Sequence, residues 1–260
     1  MRDATYAVRR GAVAAKLCAI EAVLAEPATV VLKESPRVTV ARVGSGEHQL
    51  VLKRFRETTV LDVLEGLFVG SGALRVWRAA RLMNRAGFAV PEPVAALEHR
   101  RYGVVLRSCA VARWVAGTPL DDLWKTRRGR ARRALTLAFA DYLRRLHAAG
   151  LYPQDLRAAN VLVTSEEPPR FVLVDLDRVR RYRRLSWRRR RKNVVQVHRS
   201  VGRGAPLAES LRFLRRYLGD APRAELRRVA AEVAALGRRK DAEYAHRRGA
   251  AAPPAAARRT

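Results

Sequence analysis

Two short apolar runs, VLVT (161–164) and FVLV (171–174), interrupt a stretch of the chain whose other patterning is helical. Four apolar residues are too few for a buried helix and enough for a buried strand. The Glu-Glu-Pro-Pro between them breaks either element, so the pair reads as a small hairpin lodged between helices. Before it, residues 129–149 carry Leu135, Phe139, Leu143 and Leu146 at spacings of three and four. After it, helical patterning resumes over 186–200, 206–218 and 222–246. Three polar residues frame the hairpin: Asp155 and Asn160 in the loop before the first run, and Asp175 directly after the second.

The first half is built differently. Residues 29–33, 37–43 and 48–55 have strand character, with Ser35-Pro36 and Gly44-Ser45-Gly46 supplying turns between them, which predicts an antiparallel meander. Residues 72–86 place Leu74, Trp77, Leu82 and Met83 at roughly helical spacing, and Gly87 follows as a stop signal. Two further strands are expected at 94–98 and 104–114, around the polar turn Arg100-Arg101-Tyr102-Gly103. Strands with one helix first, then a helical half, make an α+β chain of two lobes. The expected organisation is a helical extension over 1–27, a β-rich lobe over 28–116, a helical lobe over 117–247 and a disordered tail over 248–260.

Lys53 interrupts the apolar strand VLKRF, and with Asp155, Asn160 and Asp175 it forms a set suited to metal-assisted phosphoryl transfer. One carboxylate orients and deprotonates the attacking hydroxyl. An amide oxygen and a second carboxylate hold Mg²⁺ on the nucleotide phosphates, and a lysine neutralises them from the other side. Taken singly, Asp155 and Asn160 read equally as turn residues and Lys53 as an ordinary strand lysine.

The segments LHAAGLY, DLRAANVLV and VDLD resemble the catalytic and metal-binding loops of the protein-kinase-like fold. More closely, Asp175-Leu176-Asp177-Arg178, VLKRF (51–55), WRAARL (77–82) and GFAVPEP (87–93) resemble the bacterial lipopolysaccharide core kinases, which phosphorylate Kdo or heptose of the inner core. The resemblance covers roughly 28–220. It implies a two-lobed kinase fold, ATP and Mg²⁺ as cofactors, Asp155 as the catalytic base, Asn160 and Asp175 as magnesium ligands, and Lys53 as the phosphate-contacting lysine. It also implies that ARWVAGTPL, after Cys109, grips the adenine and that the ESPR turn (34–37) covers the nucleotide, with Lys33 and Arg37 in place of glycines. Asp177 reads as a structural turn residue before a metal ligand.

Three departures from the pattern stand out. Pro153 occupies the place of the usual histidine two residues before the catalytic Asp, and Gln154 that of the usual arginine. No acid lies between Gly66 and Val90, so the helix after Lys53 lacks its expected glutamate, and Glu65 just before it is the nearest substitute.

Lys and Arg number 53 against 24 Asp and Glu, a formal net charge of +29. Such a field favours anionic partners, although only six of the 53 are Lys and the Ala-rich composition also fits GC-rich coding. Eleven of these cations fall in 178–199, with no acid among them. The run begins at the metal-binding loop, so Arg178, Arg180, Arg181, Arg188, Arg189, Arg190 and Arg191 are candidates for a surface that meets an anionic glycolipid acceptor (lipid A–core) and the inner face of the inner membrane. A solvated helix face is the plainer alternative, and nucleic acid is disfavoured because only Tyr182 and Trp187 interleave the run. A weakly catalytic scaffold and a small-molecule or RNA-associated kinase of the same fold remain open.

No stretch longer than nine residues lacks a charge, which excludes a spanning helix. The N-terminal segment has no clean signal-peptide core, so the expectation is a cytoplasmic chain, with peripheral attachment to the inner face of the inner membrane as an option. Cys18 and Cys109 have neither disulfide nor zinc spacing. His147 reads as a packing or hydrogen-bonding residue of the long helix, and Trp77, Trp114, Trp124 and Trp187 as core or lobe-interface residues.

Overall fold

The computed structural model describes residues 12–56, 70–102, 104–201, 206–219 and 221–250. Helix α1 (Ala12–Ala25) precedes three strands, β1 (Val30–Glu34), β2 (Val38–Val43) and β3 (Leu50–Arg56). Helix α2 (Gly72–Arg85) and strands β4 (Pro93–Arg101) and β5 (Val104–Arg113) complete the β-rich half. All five strands form one antiparallel sheet in the order β1-β2-β3-β5-β4. The expected meander and the later hairpin are therefore both present, joined edge to edge through β3 and β5.

Strand alternation sorts this sheet into two faces. Leu52 and Cys109 turn to one face and pack with Ile20 of α1. Phe55 and Ala110 turn to the other and pack with Ala73 of α2. Gly72 lies so close to Phe55 that an added Cβ would meet the ring at 2.4 Å, which allows α2 to sit down on the sheet. Helix α2 starts on Ser71, whose Oγ accepts from the Leu74 amide at 3.1 Å, and ends before Gly87, which takes a positive φ of 78°.

The second half begins with a short strand β6 (Thr118–Pro119) and helix α3 (Leu120–Thr126), neither of which the sequence pattern announces. Helix α4 (Gly129–Ala148) follows and buries Leu135, Phe139, Leu143 and Leu146, the four residues set out by its periodicity. Strands β7 (Leu151–Pro153), β8 (Val161–Glu166), β9 (Pro169–Leu173) and β10 (Val179–Arg181) come next, then helices α5 (Trp187–Ser200), α6 (Leu207–Leu218) and α7 (Arg223–Ala250). The expected hairpin is β8–β9, extended to three strands by β6. The main apolar core runs from Ala79, Ala80 and Met83 of α2 through α4 to Val229 and Val233 of α7, so α2 belongs to the packing of both halves. No helix among the described residues is long and apolar enough to cross a membrane.

Candidate active site

Lys53 sits on the face of β3 that turns away from α1, opposite Ala110 of β5. There it borders a cleft of about 370 Å³ between the two halves, together with Asn160 and Asp175. Val40 and Val51 line the cleft from the sheet and Leu162 and Val174 from the hairpin, a slot of apolar side chains suited to a flat ring. Within ARWVAGTPL, Ala112 to Val115 border the cleft, whereas Thr118 to Leu120 belong to β6 and α3. Trp77 and Trp114 also border it, the latter with the Arg42 guanidinium over its ring at 5.2 Å. Lys33 lines the cleft, and the turn after it is closed by Ser35 Oγ, which donates to the Val38 carbonyl at 2.9 Å.

Asp155, Asn160 and Asp175 are brought together by three hydrogen bonds to the main chain. Asn160 ends a single 3₁₀ turn (Ala158–Asn160), and its Nδ2 donates to the Asp155 carbonyl at 3.2 Å. The Val174 amide donates to the Asn160 carbonyl at 3.0 Å, which sets Asp175 beside the loop. The Gln154 amide donates to the Arg178 carbonyl at 3.0 Å, continuing the pairing of β7 with β10. Gly150, at φ 73°, passes so near the Tyr182 carbonyl that a Cβ would stand 2.0 Å from it. The Asp155 carboxylate is 40% exposed and accepts from Arg157 Nε at 3.0 Å, so it is open to an incoming hydroxyl and has a cation at its side.

Lys53 Nζ contacts Asp175 Oδ1 at 2.5 Å and Asp177 Oδ1 at 3.0 Å. Asp177 lies in a turn, as its sequence reading has it, and also joins the site through Lys53. It lies two residues from Asp175 with the buried Leu176 between them, an arrangement that turns both carboxylates one way. Burial would lower the Lys53 pKa, but the charges of Asp175 and Asp177 outweigh it and the amine is held above its ordinary range. Burial and the hydrogen bond with Asp177 push Asp175 up. Burial would also raise Asp177, but the hydrogen bond with Asp175 and the charge of Lys53 prevail and bring it down to about 2. Two carboxylates facing one ammonium leave a deficit of positive charge, and Asp175 with the Asn160 amide on the same cleft offers hard oxygen donors of the kind Mg²⁺ takes beside nucleotide phosphates.

The departures at Pro153 and Gln154 are met from α5. Asn193 Nδ2 donates to the Pro153 carbonyl at 2.7 Å and to Gln196 Oε1 at 2.8 Å. Gln196 Nε2 donates to the Gln154 carbonyl at 2.8 Å, and its Oε1 accepts from the Leu156 amide at 3.3 Å. Behind Asn193 stands His147, with Nε2 3.0 Å from Asn193 Oδ1 and Nδ1 2.7 Å from the Tyr217 hydroxyl, which accepts from Arg190 Nε at 2.9 Å. Burial depresses the His147 pKa to about 4, so the ring is neutral and the chain of donors runs one way from Arg190 to the Pro153 carbonyl. The signal for this brace was present in the sequence as Asn193 and Gln196 among Val194, Val195 and Val197, polar residues in an apolar stretch.

The basic run divides. Arg178, Arg181 and Arg188 are exposed, and Arg180 is half-buried in β10. Arg189 stacks on Tyr182 at 4.1 Å. Arg190 is bound to Tyr217, and Arg191 is paired with Glu232 of α7. Arg190 and Arg191 are thus half-buried and tied into the packing of α5, rather than free on the open acceptor-facing surface expected of them. Glu65 lies outside the described residues. A second cavity of about 260 Å³, inside the helical half around Trp124, Phe139 and Phe213, is apolar and contains none of the four residues.

The sequence profile of the lipopolysaccharide kinase (Kdo/WaaP) family matches residues 30–217. The chain belongs to that family. It is accordingly an ATP-dependent lipopolysaccharide kinase. No curated protein sequence matches it. Among solved structures, "WaaP in complex with acyl carrier protein" is similar in fold, with a TM-score of 0.64 and 24% identity over 86% of this chain and 92% of that one. In this lipopolysaccharide kinase, the expected α+β kinase-like fold, with one principal helix beside the sheet of the β-rich half, is present. A kinase family implies ATP, and the oxygen donors of Asp175 and Asn160 on the cleft fit the Mg²⁺ that usually accompanies it.

Proposed function

We propose that this kinase transfers the γ-phosphate of ATP to a sugar hydroxyl of the lipopolysaccharide inner core, on Kdo or heptose. The observation that carries the reading is the convergence of Lys53 and Asp175 in one cleft with Asn160, whose amide is bonded to the Asp155 backbone. Asp155 orients the acceptor hydroxyl for in-line attack and takes its proton. Lys53 contacts the nucleotide phosphates from the sheet side, and Arg157 holds positive charge beside the base. Mg²⁺ held by Asn160 and Asp175 would neutralise charge on the phosphates. The apolar slot between Val51 and Leu162 takes the adenine, with 28–116 and 117–247 as the two lobes around it.

The acceptor surface is assigned to Arg178, Arg180 and Arg181, on the segment that pairs with β7, and to Arg188 at the start of α5. Arg forks suit the carboxylates and phosphates of a lipid A–core glycolipid, and the same charge favours the inner face of the inner membrane. An acyl carrier protein, the partner in the neighbouring structure, is a second candidate partner, to be tested by co-purification. The deciding experiment is ATP turnover by the purified protein with and without lipid A–core acceptor. Acceptor-dependent phosphate transfer supports the reading, and its absence on both Kdo- and heptose-terminated acceptors refutes it.

A further inference from the structure

Helix α2 carries no carboxylate, yet Lys53 has two. If Asp175 serves a cation, a buried lysine with that single partner would lose its counter-charge whenever the cation bound. Asp177, at 3.0 Å on the other side of the ammonium, meets this need. We propose that Asp177 is the positioning residue of Lys53, holding it against the nucleotide phosphates from the metal-binding loop in place of an acid on the helix. The inference rests on the kinase-site reading above and deepens it.

The local geometry suits an anchor. Leu176 is 2% exposed and packs in the main core, so the residues on either side of it have little freedom. The Val179 amide donates to the Leu176 carbonyl at 3.1 Å, and the Arg178 carbonyl is held by the Gln154 amide at 3.0 Å. Asp177 is thereby pinned on both sides, while its carboxylate reaches across the cleft to β3. An acid on α2 would align the lysine by movement of that helix. An acid on the metal-binding loop aligns it by the approach of the two halves, so cleft closure and lysine alignment become one event. The lack of an acid on α2 is then no sign of a failing enzyme.

The test is a double-mutant cycle with two readouts. The first is phosphate transfer from radiolabelled ATP to lipid A–core. The second is the Mg²⁺ concentration at half-maximal binding of a fluorescent ATP analogue. Asp177→Asn should lower kcat on the order of a hundredfold, the size expected when a reacting group is misplaced. Lys53→Met should do the same, and the double variant should be no slower than either single one. The Mg²⁺ midpoint should rise in Asp175→Asn and stay at the wild-type value in Asp177→Asn. The same cycle with Asp177→Ser guards against an Asn variant that fails to fold.

A raised Mg²⁺ midpoint in Asp177→Asn would make Asp177 a metal ligand and overturn the proposal. Losses that multiply in the double variant would overturn it too, as would a lowered melting temperature with normal turnover per folded molecule. If Asp155→Asn and Lys53→Met both leave transfer intact, the kinase-site reading itself fails and the inference falls with it.

Discussion

Asn193→Ala should be among the most damaging single changes outside the cleft. Asn193 is wholly buried, and its amide group serves His147, the Pro153 carbonyl and Gln196 at once. Truncation leaves the Pro153 carbonyl and the His147 ring without their partners in surroundings that water does not reach. Each orphaned buried group costs about 1–3 kcal/mol, so the two together cost about 4 kcal/mol. For a chain of this size that corresponds to a melting temperature lower by about 10 °C. Asn193→Asp should be no milder, because it sets a carboxylate oxygen against the Pro153 carbonyl and Gln196 Oε1, which now accept from Nδ2. Urea unfolding at neutral pH measures the loss, and turnover per folded molecule measures the displacement of the catalytic loop, with KM for ATP unchanged because Asn193 does not border the cleft. A loss of stability below about 1 kcal/mol would refute the energetic argument. A full loss with intact turnover would refute the role of α5 as the brace of that loop.

Asp155→Asn should abolish phosphate transfer while nucleotide binding persists, whereas Asp175→Ala should weaken Mg²⁺-dependent nucleotide binding itself; near-normal transfer by the first would remove Asp155 as the base. His147 titrates at about 4 when folded against 6.5 unfolded, so the unfolded chain takes up protons first. Its contribution is complete above pH 6.5 and is lost as pH falls toward 4, amounting to about 2 kcal/mol by pH 5. His147→Gln should flatten that part of the stability profile, as read from urea midpoints at neutral pH and at pH 5. Converting the exposed Arg178, Arg181 and Arg188 to Gln should weaken binding to anionic vesicles by about 1 kcal/mol per residue at low salt and little at high salt. ATP affinity should stay unchanged, and loss of RNA binding with lipid binding kept would shift the assignment to nucleic acid. Arg190→Gln and Arg191→Gln should instead lower thermal stability, since their side chains hold Tyr217 and Glu232.

Much of the molecule was legible in one dimension, and the reason is that the informative signals were local. The charge of Lys53 within the apolar strand VLKRF marked it as a site residue. The three-and-four spacing from Leu135 to Leu146 marked the buried side of α4. The turns at Ser35 and Gly87 and the stop at Pro168 followed from backbone chemistry that each residue carries with it. The spacing of Asp155, Asn160 and Asp175 likewise survived folding, because a short loop and a tight hairpin leave a chain few ways to separate them.

What the one-dimensional pattern did not decide depended on partners far along the chain. Short elements such as β6, β7 and β10 have too few residues for a period and exist because another strand completes their hydrogen bonds. Asp177 reads as a turn residue until β3, 124 positions away, brings Lys53 to it. Arg188 and Arg190 look alike in a row of arginines. One is exposed and the other bonds Tyr217, because α5 turns by 100° per residue and only the packing of α6 against α4 decides which side is filled. The amino-acid sequence determined which residues could do chemistry; the tertiary structure decided which of them share a charge.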